Sequence, residues 1–231
     1  MKVGILSDIH GNSCALDSVC KELKSEGINK IIVAGDLVGY YYNIKNVIAR
    51  LAEFDSYIIK GNHEELLFEA KRTGTLSEEF RSKYGSSLSL ALQDLNIEEL
   101  NFLVNLKHPK SITLDSLQIL ISHGSPWDIN EYLYSDSNMA SWNKFLQYEE
   151  DFFVIGHTHQ QLIKRVNTKI IINPGSIGQN RIKGGIADWA VLETNTKSIT
   201  FRSTRYPIEE LIAQCELHDP EVSNLRTMLT R

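Results

Sequence analysis

Short apolar runs alternate with helical patterns through the first two thirds of the chain, the rhythm of an α/β domain. Val3 to Leu6 predicts a strand. Ala15, Leu16, Val19 and Leu23 then recur at helical spacing, with Asn12 or Ser13 placed to cap the start and Gly27 to end the helix. Ile31 to Ala34 predicts a second strand, and Ile44, Val47, Ile48 and Leu51 behind a cap at Asn43 a second helix. Tyr57 to Ile59 predicts a third strand, so the opening reads β-α-β-α-β.

Residues 64 to 106 hold no strand-like run but several helical stretches, one after Ser77-Glu78-Glu79 and one after Asn96, which predicts a helical insertion. Ile112 to Leu114, a turn at Asp115-Ser116 and Leu117 to Ile121 predict a hairpin; helical signal returns around 137 to 148, and Phe152 to Ile155 is the next strand. From Leu162 the texture becomes a β-meander: Leu162 to Val166, Ile170 to Ile172, Trp189 to Leu192 and Ile199 to Phe201, with turns at Asn167-Thr168 and Asn195-Thr196. Two sheets with helices outside satisfy this order. No repeat or Pro/Gly-rich linker divides the chain, so a single domain is expected over residues 1–231.

Composition adds limits. At 231 residues the chain can bury a large core without disulfides or structural zinc, so a metal signal reads as chemistry. Its 24 Lys plus Arg against 29 Asp plus Glu leave a net charge of −5, which argues against sequence-independent nucleic-acid binding or an anionic membrane surface. Cys14, Cys20 and Cys215 form no C-x-x-C pair, and the apolar run after Met1 is too short for a signal-peptide core or a membrane span; a cytoplasmic setting is expected.

Five strand-like runs end in a residue able to bind a metal: Asp8, Asp36, Asn62, His123 and His157. Side chains leaving the carboxyl ends of neighbouring strands converge on one crevice in open α/β sheets. His10 and His159 stand two positions beyond Asp8 and His157, and in extended chain such pairs project to one side. Five of the seven histidines fall in these segments, leaving His108 and His218 outside. Two aspartates and several imidazoles crowded together repel or titrate unless divalent cations make the crowding favourable. Oxygen and nitrogen ligands without thiolate suit Mn, Fe, Zn, Co or Ni. Seven side chains exceed one tetrahedral ion; two ions sharing a carboxylate fit better, an arrangement suited to attack on phosphorus.

Asp8-Ile9-His10-Gly11-Asn12, Gly35-Asp36-Leu37-Val38-Gly39, Gly61-Asn62-His63-Glu64, Ser122-His123-Gly124 and Gly156-His157-Thr158-His159 resemble the ordered motif set of the calcineurin-like metallophosphoesterases. Asn173-Pro174-Gly175-Ser176-Ile177-Gly178 also resembles the small prokaryotic phosphodiesterase branch. The resemblance implies an α/β fold, a four-layer α-β-β-α sandwich of two mixed sheets. It implies that Asp8, His10, Asp36 and His159 hold one ion, and that Asp36 bridges to a second completed by Asn62, His123 and His157. It gives His63 the role of proton donor to the leaving group or of a cation stabilising the transition state. The nucleophile it implies is a hydroxide between the two ions, manganese being the first choice and Fe, Zn, Ni or Co alternatives.

Protein Ser/Thr phosphatases of this superfamily carry an Asp-Arg-Gly where this sequence reads Gly39, Tyr40 and Tyr41. The aspartate that pairs with the catalytic histidine there, and a phosphate-holding arginine, are missing, which shifts the expectation to a diester or a small phosphorylated molecule. Arg181 can clamp phosphate bidentately. Tyr40, Tyr41, Tyr42 and Trp127 flank the motifs and either pack or line a base or aryl pocket. The expected partner is a small phosphate ester, with no stable nucleic acid and no membrane. Competing readings are a dinucleoside polyphosphate hydrolase, a protein phosphatase, a DNA nuclease, and a non-enzymatic scaffold such as the retromer coat subunit of the same fold.

Overall fold

Strand alternation sorts side chains between two faces, and both faces of both sheets are covered. In the computed structural model, which describes Met1–Arg231, the order opens with β1 (Lys2–Leu6), α1 (Ser13–Ser25), β2 (Lys30–Val33), α2 (Ile44–Leu51) and β3 (Asp55–Ile58). Four consecutive helices follow where the helical insertion was expected: α3 (Asn62–Thr73), α4 (Glu78–Tyr84), α5 (Ser87–Asp94) and α6 (Ile97–Val104). The chain continues through β4 (Lys110–Leu114), β5 (Leu117–Ile121), α7 (Met139–Asn143) running into a 3₁₀ turn (Lys144–Gln147), β6 (Phe152–Val154), β7 (Gln161–Val166) and β8 (Lys169–Pro174). It ends with β9 (Ile186–Glu193), β10 (Ser198–Arg205), α8 (Glu209–His218) and α9 (Ser223–Thr230).

One sheet has the order β10-β9-β1-β2-β3, the other β4-β5-β6-β8-β7. Both are mixed: β1, β2 and β3 run parallel, as do β5, β6 and β8, while β9, β10, β4 and β7 add antiparallel pairings. Val3, Ile5, Ile32 and Ala34 meet Ile119, Ile121, Phe152, Val154 and Ile172 in one apolar cluster between the sheets. The alternate residues of the first sheet, Leu6, Ile31, Val33 and Val191, pack with Leu16, Val19 and Leu23 of α1. Leu120, Phe153 and Ile171 of the second sheet pack with Trp142 and Phe145. The layers are therefore α-β-β-α, and period-2 alternation puts one set of residues in the middle and the other under helices.

Local signals account for the helix ends. Asn12 Oδ1 accepts the Ala15 N–H at 3.0 Å and caps α1. Asn96 caps α6, with Glu99 reaching back to the Asn96 N–H at 2.8 Å. Asn43 makes no capping bond; its amide donates instead to Gln214 Oε1 at 3.2 Å.

Two features depart from the sequence reading. The expected meander is two hairpins in different sheets: β7–β8 closes the second, whereas β9–β10 crosses over and β9 pairs antiparallel with β1. The crossing loop after β8 runs past the end of β1, where Ile177 N and Gly178 N donate to Ser7 O and Asp8 O at 3.0 and 2.9 Å. The sequence reading also lacks α8 and α9. Each buries only two core residues four positions apart, Leu211 with Cys215 and Leu225 with Leu229, a pattern too brief to stand out in polar surroundings. The three cysteines are unpaired. No helix is long and apolar enough to cross a membrane.

Candidate metal centre

Asp8, His10, Asp36, Asn62, His123, His157 and His159 all gather beyond the carboxyl ends of β1, β2, β3, β5 and β6. The backbone reason differs from the expected one. Asp8, His10, Asp36, His157 and His159 do not continue in extended conformation; all five have φ between 51 and 68°. That left-handed region is sparsely used by non-glycine residues and costs about 1–3 kcal/mol apiece unless the surroundings impose it. Here they do: Asp8 N donates to Gly35 O at 3.1 Å, His10 N to Asp36 O at 2.9 Å, and Ser176 Oγ to Asp8 O at 2.8 Å. Asn62 and His63 are likewise not extended but open α3, so a helical turn, not strand alternation, sends their side chains apart.

Ring orientations follow from the carbonyls they meet. A carbonyl only accepts, so the contacts of His10 Nδ1 with Val38 O (2.9 Å), His123 Nδ1 with Ala34 O (2.8 Å) and His159 Nδ1 with Gln179 O (2.7 Å) place the proton on Nδ1 in each ring. In the neutral form of each ring the Nε2 lone pair then faces the centre. His10 Nε2 and His159 Nε2 nevertheless stand 3.1 Å apart, with Asp8 Oδ1 3.2 Å from the latter. A second focus repeats the arrangement: His123 Nε2 lies 3.0 Å from Asn62 Oδ1, 3.2 Å from Asp36 Oδ2 and 3.1 Å from His157 Nδ1. Asp36 Oδ2 is also 3.7 Å from His10 Nε2 and so faces both foci. Nitrogen and oxygen atoms crowded together in a dry site are eased by a cation between them, and the donor set of imidazoles, carboxylates and one carboxamide suits a divalent transition metal.

Charge tells the same story. Burial works against the Asp36 carboxylate, yet His123 and His63 hold it well below the usual range; Asp8 is held low by His159 and His123 against the same opposition. Burial lowers the His10 imidazole well below its ordinary value and takes His157 down to about 4. His123 goes the other way, to about 10, because Asp36 and Asp8 outweigh its burial. The centre keeps two buried carboxylates ionised and asks for positive charge.

His63 is buried, with Nε2 4.0 Å from Asp36 Oδ2 and close enough to group with His10 and Asp36. Its Nδ1 is buried without a hydrogen-bond partner, as the missing aspartate of the protein phosphatases implies. Packing orients it instead. The His10 ring lies 4.9 Å away, Tyr40 and Tyr84 each 5.2 Å, and Gly39 comes so close that a Cβ there would stand 2.1 Å from Nδ1.

Of the other flanking aromatics, Tyr41 is core, Tyr42 donates to Asp219 Oδ2 at 2.7 Å, and Trp127 packs on Phe145. Arg181 is half-buried with its guanidinium 5.9 Å from the Tyr132 ring. Sequence reasoning missed Tyr132, whose exposed ring lies over that of His157 with centroids 3.9 Å apart and planes tilted by 35°; no motif contains it. It also gave Glu64 no role. Glu64 is buried and accepts four backbone N–H bonds, from Asp36 (3.0 Å), Leu37 (2.8 Å), Val38 (3.1 Å) and Gly61 (2.6 Å). A carboxylate inside a motif with no ligand duty was the available signal.

Residues 1–197 match the calcineurin-like phosphoesterase superfamily domain. The chain belongs to that superfamily. It is 26% identical to an uncharacterized protein of Methanocaldococcus jannaschii over 226 residues, 90% of this chain and 89% of that one. A phosphodiesterase from the same organism is 23% identical over 179 residues, 76% of this chain and 83% of its own. A metallophosphoesterase from Sphaerobacter thermophilus superimposes with a TM-score of 0.77 at 26% identity, covering 98% of both chains. Calcineurin-like phosphoesterases use divalent metal ions, and the buried His and Asp groups of this member offer places to hold them.

Proposed function

We propose that this protein is a metal-dependent phosphoesterase that hydrolyses a phosphodiester, with Asp8, His10, Asp36 and His159 holding one ion and Asp36, Asn62, His123 and His157 a second. The observation that carries the reading is the pair of foci in which imidazole nitrogens face each other at 3.1 Å beside carboxylate oxygens. When bound, two divalent ions supply Lewis acidity toward a phosphoryl oxygen and lower the pKa of water enough to give a nucleophile near neutral pH. Manganese is our first choice, with Fe, Zn, Ni or Co also suited to these donors.

The chain's own residues do the rest. Asp36 sits between the foci and sets their separation, held by its own N–H bond to Glu64 and by the His63 N–H donated to Asp36 Oδ1 at 2.9 Å. His63 Nε2, farther from Asp36 than the His123 nitrogen is, donates a proton to the leaving-group oxygen, a role worth roughly 10² to 10⁴ in rate. Arg181, beyond the Tyr132 ring, offers its planar fork to an anionic group of the substrate. The absence of an arginine and aspartate at Gly39 to Tyr41 speaks for a small diester over a phosphoprotein. Three unpaired cysteines suit a reducing compartment, and we take the cytoplasm as the place of action.

The test is to strip the protein of metal, restore Mn, Ni, Fe or Zn singly, and compare an aryl phosphodiester with its monoester. Metal-dependent turnover favouring the diester supports the reading. Full occupancy by metal with no ester turned over, alongside a tight protein partner, replaces it with a scaffold.

A further inference from the structure

Two tyrosines outside every motif cover the centre, and each is in contact with a cation. The Tyr132 ring lies 3.9 Å from that of His157 and carries the Arg181 guanidinium 5.9 Å from its centroid. The Tyr84 ring meets that of His63 edge-on at 5.2 Å and carries Lys83 Nζ 4.9 Å from its centroid. Neither Arg181 nor Lys83 forms an ion pair with a carboxylate. For a half-buried guanidinium that is costly unless an anion meets it. The two cations belong to one neighbourhood, near enough for the Arg181 charge to oppose that of Lys83.

Both segments are also tied to the C-terminal helix α9 and the residue that follows it. Asn224 of α9 donates to Lys83 O at 3.1 Å, and Arg231 Nη1 donates to Arg181 O at 2.8 Å. Beside Arg181, Asn180 Oδ1 accepts the Ile182 and Lys183 N–H groups, which fixes the turn that follows Arg181. Cations on a braced frame lose little entropy when an anion docks, which is how a specific subsite is built.

We propose that Arg181 and Lys83 form a second anion subsite beside the metal centre, so that the substrate carries at least one phosphate besides the one attacked, as a phosphoanhydride-linked chain does. This rests on the phosphoesterase reading. The attacked phosphate belongs among the ligands and His63; the two cations stand one tyrosine ring farther out and meet the group beyond it. Two charge-assisted contacts discriminate strongly against a substrate that lacks that group.

The test is calorimetric, on the metal-loaded protein at fixed free metal, with α,β-methylene adenosine diphosphate and adenosine monophosphate as probes. The diphosphate analogue should bind at least about tenfold tighter, the scale of one charge-assisted hydrogen bond. Arg181→Met and Lys83→Met should each cut that ratio severalfold, and the double variant should bring it near one. Equal binding of the two probes by the unaltered protein, or an unchanged ratio in the double variant, overturns the subsite. Turnover of bis-(p-nitrophenyl) phosphate is followed in parallel: turnover without diphosphate preference leaves the phosphoesterase reading standing and removes the subsite. Preference that the variants abolish, with no ester hydrolysed under any metal, keeps the subsite and removes the enzyme.

Discussion

Glu64 Oε2 accepts the backbone N–H of Asp36 at 3.0 Å, and through three further N–H bonds from Leu37, Val38 and Gly61 it ties the loop after β2 to the start of α3. Four donors and no proton to give back require the carboxylate form, although burial and the Asp36 charge push Glu64 up to about 7. In Glu64→Gln an amide NH2 replaces one acceptor and faces N–H donors. Asp36 then loses its fixed position, and metal affinity should fall about 10- to 100-fold, the usual scale for partners that orient a ligand. Competitive titration with a chelating indicator measures it; affinity equal to the parent protein's would show that Glu64 does not position the centre.

His63 and Gly39 should fail in the same way for different reasons. His63→Ala removes the proposed proton donor, and kcat should drop roughly 10² to 10⁴ with both metals retained. Gly39→Ala leaves the imidazole but places a methyl 2.1 Å from its Nδ1, at a φ of +93° that alanine adopts poorly. The ring must move, and a displacement of about 1 Å costs on the order of 10² in rate. Metal analysis with single-turnover kinetics separates these effects; normal rates in fully metallated His63→Ala would remove His63 from the chemistry.

The residues that gather at the centre were legible because each ends a strongly apolar run or stands within two places of one that does, and strand ends in parallel sheets converge. How they turn inward was not. Left-handed φ at Asp8, His10, Asp36, His157 and His159 is imposed by hydrogen bonds to loops distant in sequence, such as the one from Ser176 to Asp8, and no local propensity announces it. The split of the expected meander has a similar origin. Nothing in β9 itself says that its partner is β1, some 190 residues away, because pairing between distant strands depends on which edge is open. Tyr132 and Lys83 were unreadable for a simpler reason: each matters only through a neighbouring ring that the fold supplies.

Acid should weaken the fold partly through His108. Its Nε2 is buried without a hydrogen-bond partner, and burial, then the charge of His123, bring its pKa down to about 4. An unfolded histidine titrates near 6.5, so between those values the unfolded chain binds a proton that the folded one refuses. The stability involved is present above pH 6.5 and is lost as pH falls toward 4. His108→Gln carries no such proton, so its Tm should fall less steeply than the parent's across that interval. Parallel melting curves would reject the assignment.

Asp219, between α8 and α9, fastens the C-terminal pair to the helices after β3. Its carboxylate accepts Ser86 N at 2.9 Å, Ser86 Oγ at 3.0 Å and Tyr42 OH at 2.7 Å. Gly85 packs against the same group, leaving no room for a longer side chain there. Asp219→Ala strands the Ser86 N–H and the Tyr42 hydroxyl, each worth about 1–3 kcal/mol when left without a partner. Denaturant unfolding should therefore show a loss of that order. Because α9 also braces the Lys83 and Arg181 segments, the same variant should become more susceptible to proteolysis in the loop after β8. An unchanged unfolding midpoint would mean that α8 and α9 are held by Leu211, Cys215, Leu225 and Leu229 alone.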